Sequence, residues 1–192
     1  LSVIFSAVGA AIVFFLVATI FNILLQQIIS SPQDLISVMS DEAVLRSVGL
    51  TLYTSFLATL ITVIFGTPLA YVLARHRFPA KSFIESILDM PVIIPHSVAG
   101  IALYALLMRR GIVGSVFESL GIVFEESLWG IVAAMLFVSA PLYLNAAREG
   151  FQSVNPHLEY VARTLGAGPL MTFFKISLPL AIRHLFSGAL MS

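Results

Sequence analysis

Ala162-Arg-Thr-Leu-Gly-Ala-Gly-Pro-Leu-Met-Thr-Phe-Phe-Lys-Ile-Ser-Leu-Pro179 is a stretch punctuated by glycine and proline between long apolar runs. Just ahead of it, Asn155-Pro156 is a helix-start signal. Asparagine can accept from a free backbone N–H, and proline suits the first helical position. Leu158, Val161, Ala162 and Leu165 then recur at i, i+3, i+4 and i+7, which predicts a short helix with one apolar stripe. Glu159, Tyr160, Arg163 and Thr164 are expected largely on its other sides. Gly166 and Gly168 offer C-terminal stops, and Pro169 blocks continuation. A second short helical stretch over 170–177 leads through Leu178-Pro179 to the next apolar segment. A helix this short is marginal alone and needs a surface to pack on. That surface is either its own membrane domain or a groove on a cytoplasmic partner.

The surroundings of this stretch set the broad class. Hydrophobic residues make up 59% of the chain and charged residues 10%, against about 25% charged in a soluble domain. Such a chain cannot cover itself with polar groups, so part of its solvent is lipid. The net charge of zero gives no reason to expect a nucleic-acid partner, and the absence of cysteine removes disulfides and thiolate metal sites.

Hydropathy divides the chain into spans of the ~20 residues that a bilayer crossing needs. Leu1–Leu25 is uncharged, too long for a signal-peptide core and without a basic leader. Ser47–Ala74, Met90–Met108 and Leu128–Ala147 are three further uncharged runs. A fifth apolar segment starts near Leu185 and stops after Ser192. The expected architecture is therefore an all-α polytopic transmembrane helix bundle with four complete spans and the start of a fifth. The short last segment and the missing initial methionine suggest a fragment of a longer protein. Residues 1–46 form the first span and an external loop, 47–192 a transmembrane domain, and 148–184 its long cytoplasmic loop.

Loop charge orients the bundle. Arg75, Arg77, Lys81, Arg148, Arg163, Lys175 and Arg183 follow spans two and four; only Arg46, Arg109 and Arg110 follow spans one and three. The latter loops also carry Asp34, Asp41, Glu42, Glu118, Glu125 and Glu126. The side richer in lysine and arginine faces the cytoplasm, which places the amino terminus and the loop 148–184 there.

Several chemistries find no support. Nothing fits G-x4-G-K-[ST], so the chain has no P-loop to cradle ATP phosphates. His76, His96, His157 and His184 are scattered, and neither a zinc-protease pairing nor a nucleophile elbow is present. No catalytic residue and no metal site are expected. The span interiors lack Asp, Glu, Lys and Arg, which argues against a proton-coupled secondary transporter. Pro91 and Pro95 must interrupt helix hydrogen bonding. Freed backbone groups there, with His96 and Ser97, are either beside a translocation path for an anion or part of a packed kink. Gly130 and Ala134 form a small-xxx-small pair suited to helix packing.

The spacing Ala162-x3-Gly166-x9-Ile176-x-Leu178-Pro179 resembles the EAA loop of ABC-importer permeases, the signature of their type-1 transmembrane domain. The resemblance implies that Glu159, Tyr160, Ala162, Arg163, Thr164, Leu165 and Gly166 lie on a coupling helix docked on an ATPase subunit. Ile176, Leu178 and Pro179 close that loop. Tyr160 stands where the family has glutamate and Val161 where it has alanine, so Glu159 is the candidate for a displaced acidic contact. Leu88–Gly100 is similar to the start of the third span in permeases importing molybdate, tungstate or sulfate. The likeness runs from about Ser47 to the end and is greatest to the molybdate/tungstate branch. It implies a type-1 permease fold with about six spans of bilayer length in the full chain.

The same resemblance implies a homodimer in a prokaryotic cell membrane, joined by two ATPase subunits and an extracytoplasmic substrate-binding protein. ATP and Mg belong to the partner ATPase, and this chain binds no cofactor and performs no covalent chemistry. The binding protein would meet the outer loops Ile28–Arg46 and Arg109–Ser127. A permease for sulfate or another small anion is the alternative within this class; a channel or secondary transporter is the alternative outside it.

Overall fold

The computed structural model describes residues 2–30 and 37–192, and all regular structure among them is helical. Asp34 and its neighbours, residues 31–36, expected in an external loop, lie outside the described residues. The chain divides into two compact units, Leu1–Thr51 and Leu52–Ser192. The first contains α1, Ser2–Ser30, which is uncharged throughout. It also holds the first turns of α2, Glu42–Arg75, a helix that continues into the second unit. Asp41 starts α2 by accepting the Ala43 N–H at 2.7 Å, the pairing expected of an N-cap side chain.

The second unit adds α3 (Lys81–Ile93), α4 (His96–Leu107), α5 (Gly114–Ser119) and α6 (Leu128–Ser153). Then come α7 (Pro156–Thr164), α8 (Pro169–Thr172), a π-helical turn over Phe173–Ser177, and α9 (Leu178–Met191). Among the described residues, three helical segments are long and apolar enough to cross a bilayer: Phe5–Ile23 of α1, α2 and α6. The expected third span, Met90–Met108, is instead part of the pair α3 and α4, bent by 116° at Ile94-Pro95. Proline disfavours the helical conformation in the residue before it, and Ile94 is accordingly extended, with ψ 132°. Pro91 does not interrupt the chain; it lies inside α3 and is buried. The α3–α4 pair makes a fourth crossing if it counts as one bent span.

Boundaries of the expected loop 148–184 also shift. α6 runs on to Ser153, so Arg148 belongs to it rather than to a loop. α9 begins at Leu178 and therefore contains Arg183 and His184. Both are exposed, so a charged helix turn reads in sequence like a loop.

α6 is the central element of the second unit. Its side chains Tyr143, Leu144, Ala147 and Phe151 are buried with Ala70 of α2 and with Ala181 and Leu185 of α9. Thr54, Ala58, Thr62, Gly66 and Ala70 repeat every four residues along the inward stripe of α2. Tyr143 is fully buried, and its hydroxyl lies 2.6 Å from that of Thr67. α6 and α9 approach closely through two glycines. A Cβ on Gly150 would stand 2.6 Å from the His184 Cβ, and one on Gly188 would stand 2.9 Å from the Ala146 Cβ. Lipid tails are as apolar as leucine, so such close contact, more than burial from water, holds membrane helices together. Gly130 has another role: a Cβ there would strike the Phe124 carbonyl of the preceding loop. Ala134 is exposed, so within this chain the helix seam is Gly150–Gly188 and not the Gly130–Ala134 pair.

Candidate coupling site

α7 is cut out of the chain by local chemistry. Val154 and Asn155 are extended, and the Asn155 side chain accepts the His157 N–H at 2.9 Å with Pro156 in the first turn. At the other end Ala167 N–H donates to Ala162 O (3.0 Å) and Gly166 N–H to Arg163 O (3.1 Å). This 6→1 and 5→2 pairing is a Schellman stop, which requires a left-handed residue. Gly166 supplies it with φ 90°. A Cβ there would meet nothing within 4 Å, so backbone conformation, not close packing in this chain, demands glycine. Thr164 donates its hydroxyl to Val161 O at 2.8 Å, and Leu165 caps the helix.

The helix sits on its own domain by a different face from the one its apolar stripe suggests. Glu159 and Ala162 are buried, at 6% and 8% exposure, while Leu158, Val161 and Leu165 remain 44%, 42% and 83% exposed. Tyr160 and Arg163 are also exposed. The open stripe forms one wall of a groove of about 690 Å³, whose other wall includes Met171, Lys175, Ile176 and Pro179. The groove is thus largely apolar with one ammonium at its edge.

The buried carboxylate is fully engaged. Glu159 Oε1 accepts from Arg75 Nε at 2.8 Å, Arg75 Nη2 at 2.7 Å and Ser177 Oγ at 2.8 Å. Tyr71 donates its hydroxyl to Oε2 at 3.2 Å. Arg75 Nη2 also donates to the carbonyl of Val154, the C-cap of α6, at 2.9 Å. The Tyr71 ring meets Phe151 of α6 and Phe173 of the π turn edge-on, with centroids 5.3 and 4.9 Å away. One acid therefore joins α7 to α2 and the π turn, and its guanidinium partner adds the end of α6. The two charged side chains are 11% and 7% exposed. Breaking such a pair costs about 3–5 kcal/mol because the survivor is left charged and unpaired. Farther along, α3 is held to α6 by Arg148–Glu85 (2.9 Å) and Asn145–Asp89 (2.7 Å).

Residues 66–192 match the family described as binding-protein-dependent transport system inner membrane component. The chain belongs to this family of ABC-importer permeases. The permease is 41% identical over 192 residues to the molybdate/tungstate transport system permease protein of Pyrococcus furiosus, covering 98% of this chain and 70% of that protein. It is 37% identical over 148 residues to the molybdenum transport system permease protein of Escherichia coli, covering 77% of this chain and 65% of that one. Likeness to a probable sulfate transport system permease protein of Anthoceros angustus is 34% over 154 residues, covering 80% of this chain and 54% of the relative.

Sequence reasoning anticipated the permease's short helix and both its ends, but it faced Glu159 outward. The structure turns Glu159 inward, where Arg75, Tyr71 and Ser177 occupy it, so it is not free for a partner. None of those three was singled out as its partner. The available signal was an acid one residue before Tyr160, flanked by Leu158 and Val161, with Arg75 ending an otherwise uncharged span. Ile176 and Pro179 line the groove, and Leu178 is the first residue of α9. At the α3–α4 bend, Pro95 caps α4 and accepts the Val98 and Ala99 N–H groups at 2.9 and 3.0 Å. His96 and Ser97 are exposed in the first turn of α4.

Proposed function

We propose that the permease conducts molybdate or tungstate, as a homodimer driven by two ATPase subunits and fed by an extracytoplasmic binding protein. The observation that carries the substrate reading is the 41% identity to a named molybdate/tungstate permease along 98% of this chain. The more distant sulfate likeness makes sulfate the competing substrate. The lysine and arginine bias supports a cytoplasmic amino terminus, with α7 and its groove on the same side.

In this reading α7 is the coupling helix. Its apolar stripe of Leu158, Val161 and Leu165, together with Tyr160, is open to an ATPase, as a helix docked in a partner's groove requires. ATP and Mg are bound by that partner, and this chain contributes no ATPase site. Closure of the ATPase dimer displaces α7. Movement passes through the π turn and Leu178-Pro179 into α9, which is packed along α6. Only contacts that differ between the outward- and inward-facing states can shift the equilibrium. The exposed Pro95, His96 and Ser97 at the α3–α4 bend are the candidate path residues, with buried Pro91 behind them.

The test is co-purification with the neighbouring ATPase and binding protein, followed by uptake into liposomes. Expected are a stable complex and ATP-dependent molybdate or tungstate uptake that sulfate competes with poorly. A permease that captures no ATPase, or uptake indifferent to ATP, would make a channel or secondary transporter the better reading.

A further inference from the structure

We propose that the Arg75–Glu159 pair is a positioning strut that makes α7, the π turn and the inner end of α2 move as one body. The coupling stroke then enters the bundle through α2 as well as α9. This rests on α7 being the coupling helix, and it adds the route by which that helix is held.

The covalent connections of α7 give it little control. Asn155 on one side and Gly166 to Gly168 on the other are short irregular links, and of the apolar stripe of α7 only Ala162 is buried in its own domain. A helix attached only by these links would pivot under load. What prevents pivoting is a cluster of short polar contacts on the opposite face. Two come from Arg75 at the last residue of α2, one from Tyr71 a turn earlier, and one from Ser177 at the end of the π turn. They converge on one carboxylate from separate elements, so α7 cannot rotate or slide without breaking several of them together.

The π turn fits this assignment. The Leu178 N–H reaches back to Phe173 O, one residue farther than in an α-helix. The widened turn occurs where Phe173 meets Tyr71 and the fully buried Ser177 reaches Glu159. Such turns within helices mark places where sequence register serves a local function. Here it seats a hydroxyl on the carboxylate at the start of α9. A charge pair fixed in this way has one arrangement, not a continuum, which is what transmission of a displacement requires.

The measurement is the number of molybdate ions imported per ATP hydrolysed by the complete transporter in liposomes, counted per assembled complex. Glu159→Gln keeps the shape but removes the charge. The expected result is a ratio at least about fivefold lower, the small end of ordinary coupling effects, with ATPase still bound. A ratio within about twofold of the unaltered transporter, well below that scale, would overturn the strut. Should Glu159→Gln fail to assemble, the pair Tyr71→Phe with Ser177→Ala keeps the ion pair and rings. It should lower the ratio more modestly, and no change there would also overturn the proposal. The chain contains no cysteine, so labels at Val72→Cys and His157→Cys report the α2–α7 distance by electron spin resonance. That distance should be the same in nucleotide-free and ATP-trapped transporter and should broaden in Glu159→Gln. A shift of several ångströms in the unaltered permease counts against a rigid body. Loss of ATP dependence in the unaltered transporter would instead sink the coupling-helix reading itself.

Discussion

One end and the middle of the contact between α2 and α6 solve the membrane's polar problem in opposite ways. At the end beside α7, Arg75, Tyr71, Glu159 and Ser177 satisfy one another across three elements, and Arg75 adds the Val154 carbonyl at the end of α6. Midway along the same helices, the hydroxyls of Thr62 and Ser139 are buried without a hydrogen-bond partner among the described residues. The end beside α7 is held by directional bonds that resist displacement. The middle is held by close packing, which tolerates exchange of one small group for another. Rigidity is thus concentrated beside the groove, and the bundle interior is left less specified.

The largest test of that contrast is Arg75→Ala. It strands a buried carboxylate and should cost about 3–5 kcal/mol, read as a lowered thermal unfolding midpoint in detergent. Replacing both charges, Arg75→Met with Glu159→Leu, should be less destabilising than Arg75→Ala alone. Such a variant would stand upright yet lose the proposed strut, so stability and coupling would separate. Next comes the α6–α9 seam. Gly150→Leu forces bulk against the His184 Cβ, 2.6 Å from where a Cβ would stand. Overpacking of this kind costs about 1–3 kcal/mol or more, again visible in thermal unfolding.

Gly166→Ala is expected to cost about 1–2 kcal/mol, because a left-handed residue with a side chain is strained even in open space. Gly166→Asn should cost less, since asparagine tolerates that conformation. Hydrogen exchange at the end of α7 would distinguish the two. The smallest effects belong to the middle of the bundle. Thr62→Val and Ser139→Ala should lie within about 1 kcal/mol of neutral, on the stabilising side, since no hydrogen bond is lost. Thr67→Val, which removes the partner of the buried Tyr143 hydroxyl, should cost about 1 kcal/mol or more. If the mid-bundle pair proves as sensitive as Thr67, the contrast between that end and the middle collapses.

How much of this was legible beforehand depends on the range of the interaction responsible. Asn155-Pro156 and Gly166 act within a few residues, and both ends of α7 could be read from them. Glu159 could not be oriented locally, because its partner Arg75 is 84 residues away in sequence. Its neighbours Leu158 and Val161 left open whether the stripe met its own domain or a partner. In a soluble protein an apolar stripe marks the core, but here it is the open side, and the acid marks the core. The α3–α4 bend was signalled by Pro95, yet uniform apolar composition hid the 116° turn. The π turn depends on Tyr71, Phe173 and Ser177 meeting in space, and nothing in 173–177 alone announces it.

α7 has one face answerable to its own chain and another answerable to whatever covers the groove. The inward set is small, chiefly Glu159 and Ala162, and the outward set of Leu158, Tyr160, Val161 and Leu165 makes no contribution to the buried core. On the proposed docking, residues 156–165 form an adaptor whose two sides can be rewritten separately. Grafting another permease's outward residues onto the unchanged inward pair should redirect the protein to a foreign ATPase without refolding its own bundle.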